Sequence, residues 1–479
     1  MQFEENLDPQ DWNAMRAMAH QMMDDAMDYL QHVGDRPVWE ATPQSTKTLA
    51  KGRLPQEGSP VEEIYDDFKQ HIMPYTKGNI HPRFFAWVQG TGTPLGVLAD
   101  MWASTMNPNA AIGDHAAMYI DQQVIGWCKE MMGFPETASG ILLSGGSIAN
   151  ITGITVARNA FDAKVRAEGL TSLSGPMTMY GSTETHSCLQ KAAEVNGIGA
   201  AGFRKIEVDE SYRIKLDVLE KTILDDKAAG KIPFCIIGNV GTVNTGATDN
   251  LDALADLAQK HNLWLHIDGA FGALAKLVPA YQAELKAIER ADSIAFDLHK
   301  WMYMPYEVGC TLIKDAQAHR NAYGLQPSYL LSHERGLAAG PDPITNYGME
   351  LSRGFKALKV WMSIREHGIQ KYARLIEQNI QQAFYLGELV EQEPLLELMA
   401  PVTMNIACFR FKADLPKEAL NTLNKEILMQ LHEKGIAAPS YTMLAGHYCI
   451  RACIVNHRTQ RSDLEAMVAG VVEIGKTLV

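Results

Sequence analysis

Residues 291–301 of this 479-residue chain read ADSIAFDLHKW. The first half alternates apolar and polar in the manner of a short buried strand, and the run then presents His299, Lys300 and Trp301. A lysine just past a hydrophobic strand is poorly placed for solvation. Burial disfavours the ammonium, lowers its pKa and suits the amine to Schiff-base chemistry. Taken alone, the stretch is read more simply as a strand-end lysine whose aliphatic stem carries its head to water. What changes the balance lies upstream.

Residues 140–153, GILLSGGSIANITG, run a hydrophobic strand into Ser144-Gly145-Gly146-Ser147 and then a helix. Glycines permit close backbone approach, and the free N–H groups at a helix start attract a phosphate. The stretch has neither the lysine of a Walker loop nor the GxGxxG spacing, and an ordinary strand-to-helix turn explains it as well as a phosphate cradle does. Residues 263–271, LWLHIDGAF, put His266 and Asp268 on one strand face. An aspartate ending a buried strand needs a cationic or hydrogen-bonding partner. A protonated ring nitrogen would serve, with Gly269-Ala270 leaving room for a flat ring; capping of the next helix is the alternative. His266, Asp268 and His299 are also metal-ligand types, but no further ligand cluster accompanies them, so no metal is expected. His186 stands just before a helix in TETHSCLQKA, and Thr242 closes another strand in GNVGTVNTG. Ser147, His186, Thr242, Asp268 and Lys300 are thus five strand-end residues in chain order. In open α/β sheets ligands gather at the carboxyl ends of strands, so their convergence points to one site.

The elements that would position these residues follow from periodicity. Helix-like and strand-like segments alternate from about residue 117 to 297, which argues for a mostly parallel, helix-covered sheet. Strands are expected at 140–143, 177–180, 203–208, 234–239, 263–268 and 293–297, and helices at 117–132, 148–163, 189–196, 216–226 and 251–260. A helix over 355–367 leads to a smaller α+β region with strands at 406–411 and 447–453 and helices at 417–433 and 462–478. Ahead of the sheet, residues 9–33 read as an amphipathic helix with Asp8 as cap and Pro9 in the first turn, then a Pro/Thr-rich connector and a helix over 61–72. These spans divide the chain into a helical N-terminal arm (1–80), a large α/β domain (81–365) and a small C-terminal α+β domain (366–479). An arm with so little core of its own leans on the body or on a second subunit.

The formal charge of −13 argues against nucleic-acid or acidic-membrane partners. The 7 cysteines form no CxxC, which fits a reducing cytoplasm. The acidic N-terminus shows no apolar signal region, and no apolar run approaches the ~20 residues of a membrane span.

HPRFFAW, the glycine-rich loop, THSCLQKA, LWLHIDGAF, ADSIAFDLHKW, LSRGFKALKVW and IRACIVNHRT together give the chain, nearly end to end, a resemblance to the group II pyridoxal-5′-phosphate-dependent amino-acid decarboxylases. The resemblance implies a fold type I architecture, a homodimer with the site at its interface, and pyridoxal 5′-phosphate as cofactor. It implies that Lys300 binds the cofactor as a Schiff base, that Asp268 pairs with its ring nitrogen, and that His186 stacks on the ring with Ala270 behind it. Gly146, Ser147 and His299 would hold the phosphate, with Thr242 and Asp297 nearby. The activity implied is loss of CO2 from an L-amino acid to leave the amine.

Two stretches depart from the family pattern. Residues 107–119, NPNAAIGDHAAMY, carry Asn109 where aromatic-specific members have an aromatic, so an aromatic substrate is favoured only modestly. The pocket is expected around Phe84, Asn109, His115 and Arg353. The loop over 332–349 is short, and Tyr347 in ITNYGM matches the family's proton-donating tyrosine only if a deletion is allowed; aligned without a gap it falls on a structural aromatic. Without such a donor, formation of an aldehyde becomes a competing outcome. An aminotransferase or side-chain lyase of the same fold would anchor the substrate carboxylate by an arginine, for which Arg353 is the candidate. A non-catalytic dimeric scaffold is the remaining alternative.

Overall fold

The computed structural model describes residues 6–325 and 333–479. Its strands, in chain order, are β1 (Phe84–Phe85), β2 (Ser139–Leu143), β3 (Met177–Ser182), β4 (Phe203–Ile206), β5 (Ile232–Asn239), β6 (Trp264–Asp268), β7 (Ser293–Asp297), β8 (Gly309–Ile313), β9 (Leu396–Leu398), β10 (Ile406–Phe411), β11 (Ala438–Leu444) and β12 (His447–Cys453). Seven of them form one sheet in the order β2-β8-β7-β6-β5-β3-β4. β8 runs antiparallel to both its neighbours, and the remaining pairs are parallel. Burial on both faces explains why these strands read as almost unbroken apolar runs: along β5, Ile236 joins one core while Cys235 and Ile237 join the other.

The helices around this sheet start or end on recognisable signals. Gly133, in the left-handed region, ends the helix Ala116–Met132. His186 caps Ser187–Val195, and Asn250 caps Leu251–His261. The second sheet has the order β1-β11-β12-β10-β9. β1 belongs to it, pairing Phe84 with Ala438 and Phe85 with Pro439, so HPRFFAW ties the start of the sheet region to the C-terminal third.

Three expectations are corrected. The first helix runs Trp12–Gln31 and is capped by Asp11, whose carboxylate accepts from the amides of Asn13 and Ala14; Asp8 and Pro9 lie outside it. The helix Pro94–Met106 was hidden in a stretch that its small residues made look like punctuation, although Thr93 caps it and Pro94 opens it. The helix Ile369–Gln392, which spans the connection to the second sheet, was also unread. Among the described residues no helix is long and apolar enough to cross a membrane.

Candidate active site

The large sheet brings its carboxyl ends to a cavity of about 510 Å³. β2 feeds the helix Gly146–Phe161, whose first residues, Gly146 and Ser147, open onto it. Gly146 has to be a glycine: a Cβ there would lie 2.7 Å from Asp297 Oδ2 at the end of β7. His186 follows β3. Its Nδ1 accepts from the Cys188 amide at 3.2 Å, which leaves Nε2 to carry the proton, and burial lowers its pKa so that the ring is neutral.

Asp268 ends β6. Its Oδ1 accepts from Asn150 Nδ2 and from the Ala270 amide, both at 3.3 Å, while Oδ2 has no protein partner among the described residues. Burial pushes this carboxyl up, opposed by the charges of His186 and Lys300 and by those two donors. Thr242, after β5, turns its hydroxyl to Thr245 and the Ala247 amide.

At the end of β7 the backbone switches from strand to one helical turn, Leu298–Trp301. That turn sets Lys300 Nζ 2.8 Å from Asp297 Oδ2. Burial is the largest single influence on the Lys300 amine and pulls its pKa down. The charge and hydrogen bond of Asp297, followed by Asp268 and Tyr306, reverse the balance and leave it raised. The expectation of a lowered lysine pKa is therefore overturned, because the strand-end lysine has a carboxylate partner. His299 is fixed through Nδ1 by the backbone of Val308, and the ring of Tyr306 lies over it with centroids 4.5 Å apart.

Gly146, Ser147, His186, Thr242, Asp268, Ala270, Asp297, His299 and Lys300 thus share one cavity. The other expected residues do not line it. Phe84 packs with Val38, Ala86 and Ala438. Arg353 is buried, its guanidinium donating to the carbonyls of Ala110 and Leu142 and lying 3.7 Å from Asp121, so its charge is not free to anchor a substrate. Asn109 bonds the backbone of Leu351 and Arg353, and His115 bonds Ile112. Tyr347 donates to Asp342 at 2.7 Å and sets its ring against His319. The loop over 332–349 begins at Ser332, outside the described residues. His266, weighed as a metal ligand, has both ring nitrogens in hydrogen bonds, and no group of His, Cys, Asp or Glu among the described residues is arranged to hold a metal.

Trp87, Asn150, Tyr306 and Glu307 line the cavity without having been singled out. Two had a signal. Trp87 is the last residue of HPRFFAW, and Asn150 lies one helical turn beyond Gly146. Tyr306 and Glu307 had none, because the chain reaches the cavity there through an irregular return to β8.

The chain is similar to known proteins along nearly its whole length. The family model for the pyridoxal-dependent decarboxylase conserved domain matches residues 43–412. An aromatic-L-amino-acid decarboxylase of Bacillus atrophaeus is 34% identical over 458 residues, covering 94% of this chain and 93% of that protein. A phenylacetaldehyde synthase of Petunia hybrida is 28% identical over 473 residues, covering 94% of this chain and 91% of its own. The crystal structure of Oryza sativa TDC with PLP and tryptamine superposes with a TM-score of 0.90 at 23% identity, covering 99% of this chain and 100% of that one. That of mouse CSAD gives 0.90 at 23%, over 97% and 99%.

Proposed function

The chain belongs to the pyridoxal-dependent decarboxylases, and from that premise we propose that Lys300, Asp268 and His186 form the catalytic centre of an enzyme that converts an L-amino acid to its amine and CO2. The cavity residues fit the cofactor. Gly146 and Ser147 offer a helix start to a phosphate. Asp268 turns an unbonded oxygen to the cavity and, with its carboxyl pushed up by burial, suits a cationic ring nitrogen. Lys300 supplies the amine for the aldehyde carbon. His299 and Thr242 would complete the phosphate end, and Ala270 the face of the ring opposite His186.

When bound, pyridoxal 5′-phosphate supplies a conjugated sink for the electron pair that CO2 leaves on Cα. The chain supplies the rest. Asp268 holds a proton on the ring nitrogen, so positive charge sits where electron density arrives. Neutral His186 covers one ring face without adding charge. Asp297, 2.8 Å from Lys300 Nζ, positions that nitrogen and can take up its proton, and Trp87 and Tyr306 wall the cavity.

The observation that carries decarboxylation over carboxylate-anchored chemistry is Arg353, whose guanidinium is spent on Ala110, Leu142 and Asp121; no arginine stands among the described cavity residues. A departing carboxylate must be left untethered. Aromatic amino acids are the favoured substrates, on the aromatic walls of the cavity and the names of the relatives. The unit is a homodimer, a reading supported by a first helix with no buried residue and by Asn109 and His115 lying off their own cavity. Its place is a reducing cytoplasm, in line with seven unpaired, buried cysteines.

The test is CO2 release and product identity across the proteinogenic amino acids, for the natural chain and for Lys300→Ala. The variant is expected to lose turnover and the visible absorbance of the bound cofactor together. Retention of both rejects the assignment, and an aldehyde or keto acid as product replaces the amine reading.

A further inference from the structure

We propose that Trp264, Ser293, His266 and Asn150 form a one-way hydrogen-bond relay that holds Asp268 ionised and aimed into the cavity, and ties it to the first turn of the helix Gly146–Phe161. The inference deepens the reading of Asp268 given above and rests on it. All four are positioning residues: they act through Asp268.

The direction of the relay is fixed from the Asn150 end. A backbone carbonyl can only accept, so the Asn150 atom 2.8 Å from the Gly146 carbonyl is the amide nitrogen. Its oxygen therefore faces His266 Nε2 at 2.8 Å, and that nitrogen must carry the proton. At the far end an indole N–H can only donate, and Trp264 Nε1 stands 2.7 Å from Ser293 Oγ. Ser293 accepts there and has its own proton to give to His266 Nδ1, also 2.7 Å away. The Asn150 end sets the tautomer of the neutral ring, protonated at Nε2 and bare at Nδ1, and the Trp264 end is compatible with it. The ring is fully buried, and burial takes its pKa down to about 3, which keeps it neutral.

Asn150 Nδ2 then has one hydrogen for the Gly146 carbonyl and one that points towards Asp268 Oδ1 at 3.3 Å, with Cys188 Sγ beside it at 3.5 Å. With the Ala270 amide on the same oxygen, Oδ2 is left for the cavity. A buried carboxylate is thereby given donors without a second charge, which would compete with a ring cation. One residue, Asn150, links the two ends of the cofactor cradle: the helix start that faces the phosphate and the carboxylate that faces the ring nitrogen.

A separate observation supports a site built around this imidazole. Gly153, two turns along the same helix, faces His266, and a Cβ there would lie 2.6 Å from its Cε1 and 2.8 Å from Nδ1. The missing side chain is the space the ring occupies.

The test uses ¹⁵N spectra of histidine-labelled, cofactor-free protein, with His266 assigned by His266→Gln. It adds carboxyl ¹³C titration of Asp268 and spectroscopic titration with pyridoxal 5′-phosphate. His266 is expected as the Nε2–H tautomer throughout about pH 6 to 8. Asn150→Leu removes the donor, so the Asp268 pKa should rise by about one unit and cofactor affinity fall about tenfold. Ser293→Ala, which deletes one oxygen, serves if the leucine variant does not fold; it should move the Nδ1 resonance towards that of an unbonded nitrogen and weaken the cofactor severalfold. An Nδ1–H tautomer or an imidazolium at neutral pH overturns the relay, as do unchanged Asp268 titration and cofactor affinity in the variants. Failure of the natural chain to bind the cofactor would instead reject the functional reading, since the tautomer and the titration are both read without it.

Discussion

Lys300 and Asp297 show how one turn of backbone sets the state of a reactive group. Read as a strand throughout, residues 291–301 would put the two side chains on opposite faces, and burial alone would govern the amine. The helical turn at Leu298 places them three residues apart on one side instead, at 2.8 Å. That is why Lys300 could be chosen from the sequence while the direction of its pKa could not. Asp297→Asn is expected to remove the leading upward influence, so that burial prevails and the Lys300 pKa falls. Borohydride trapping of an aldehyde on cofactor-free protein, followed against pH, should shift to lower pH; an unmoved or higher profile would mean that another group holds the ammonium.

Many strands were legible as short, mainly apolar stretches, and the expected bounds of β7, β10 and β12 coincide with those found, whereas β8 and β11 were not foreseen. Less visible was any segment whose job is to fasten one element to another. Residues 342–347 are an example. Tyr347 and Asn346 donate to Asp342, which Arg320 grips through two nitrogens, and His319 Nε2 donates to the Tyr347 carbonyl while Ser139 meets its Nδ1. A tyrosine near a catalytic-looking motif can be read as a proton donor or as a structural aromatic; here its hydroxyl is held by Asp342, and its carbonyl joins, through His319, a latch between the helix Ala316–Tyr323 and β2. Arg353, the candidate anchor of the rival reading, likewise has partners that no local spacing announces: backbone carbonyls brought in from distant segments.

The latch gives a pH signature. Burial lowers the His319 pKa to about 4, against an ordinary 6.5. A histidine kept neutral in the fold but free to charge when unfolded stabilises fully above about pH 6.5, and that contribution is lost as pH falls towards 4, by roughly 3 kcal/mol. His319→Gln should therefore be less stable than the natural chain at about pH 8, by 1–2 kcal/mol, with the gap narrowing and then reversing in acid. Denaturant unfolding at both ends of the range checks this, and a gap independent of pH would show that His319 titrates alike in the folded and unfolded chain.

At the level of the whole chain, the sheet gathers its strand ends on one side, so five residues scattered from 147 to 300 meet in one cavity. What a single subunit leaves uncovered is as informative. Met101, Trp102 and Met106, on the helix Pro94–Met106, are 41%, 52% and 53% exposed. Leu351, joined to Asn109 by a hydrogen bond, is exposed beside the same stretch of chain. Apolar side chains clustered this way are the mark of a surface that a partner covers. A second copy would cover them, and would bring its own residues 107–115 towards the cavity that Asn109 and His115 fail to reach within one subunit. Composition announced neither, because those residues read as polar loop and the helix beside them as punctuation. Trp102→Glu places a charge in that contact, and an uncompensated buried charge costs upwards of 2 kcal/mol, a loss of roughly thirtyfold or more in affinity between subunits. Sedimentation velocity should find the natural chain as a dimer and the variant shifted to monomer at low micromolar concentration, with decarboxylation falling in step although every residue of the cavity is intact. A variant that remains dimeric and fully active would place the subunit contact on another face and return Asn109 and His115 to a purely structural role.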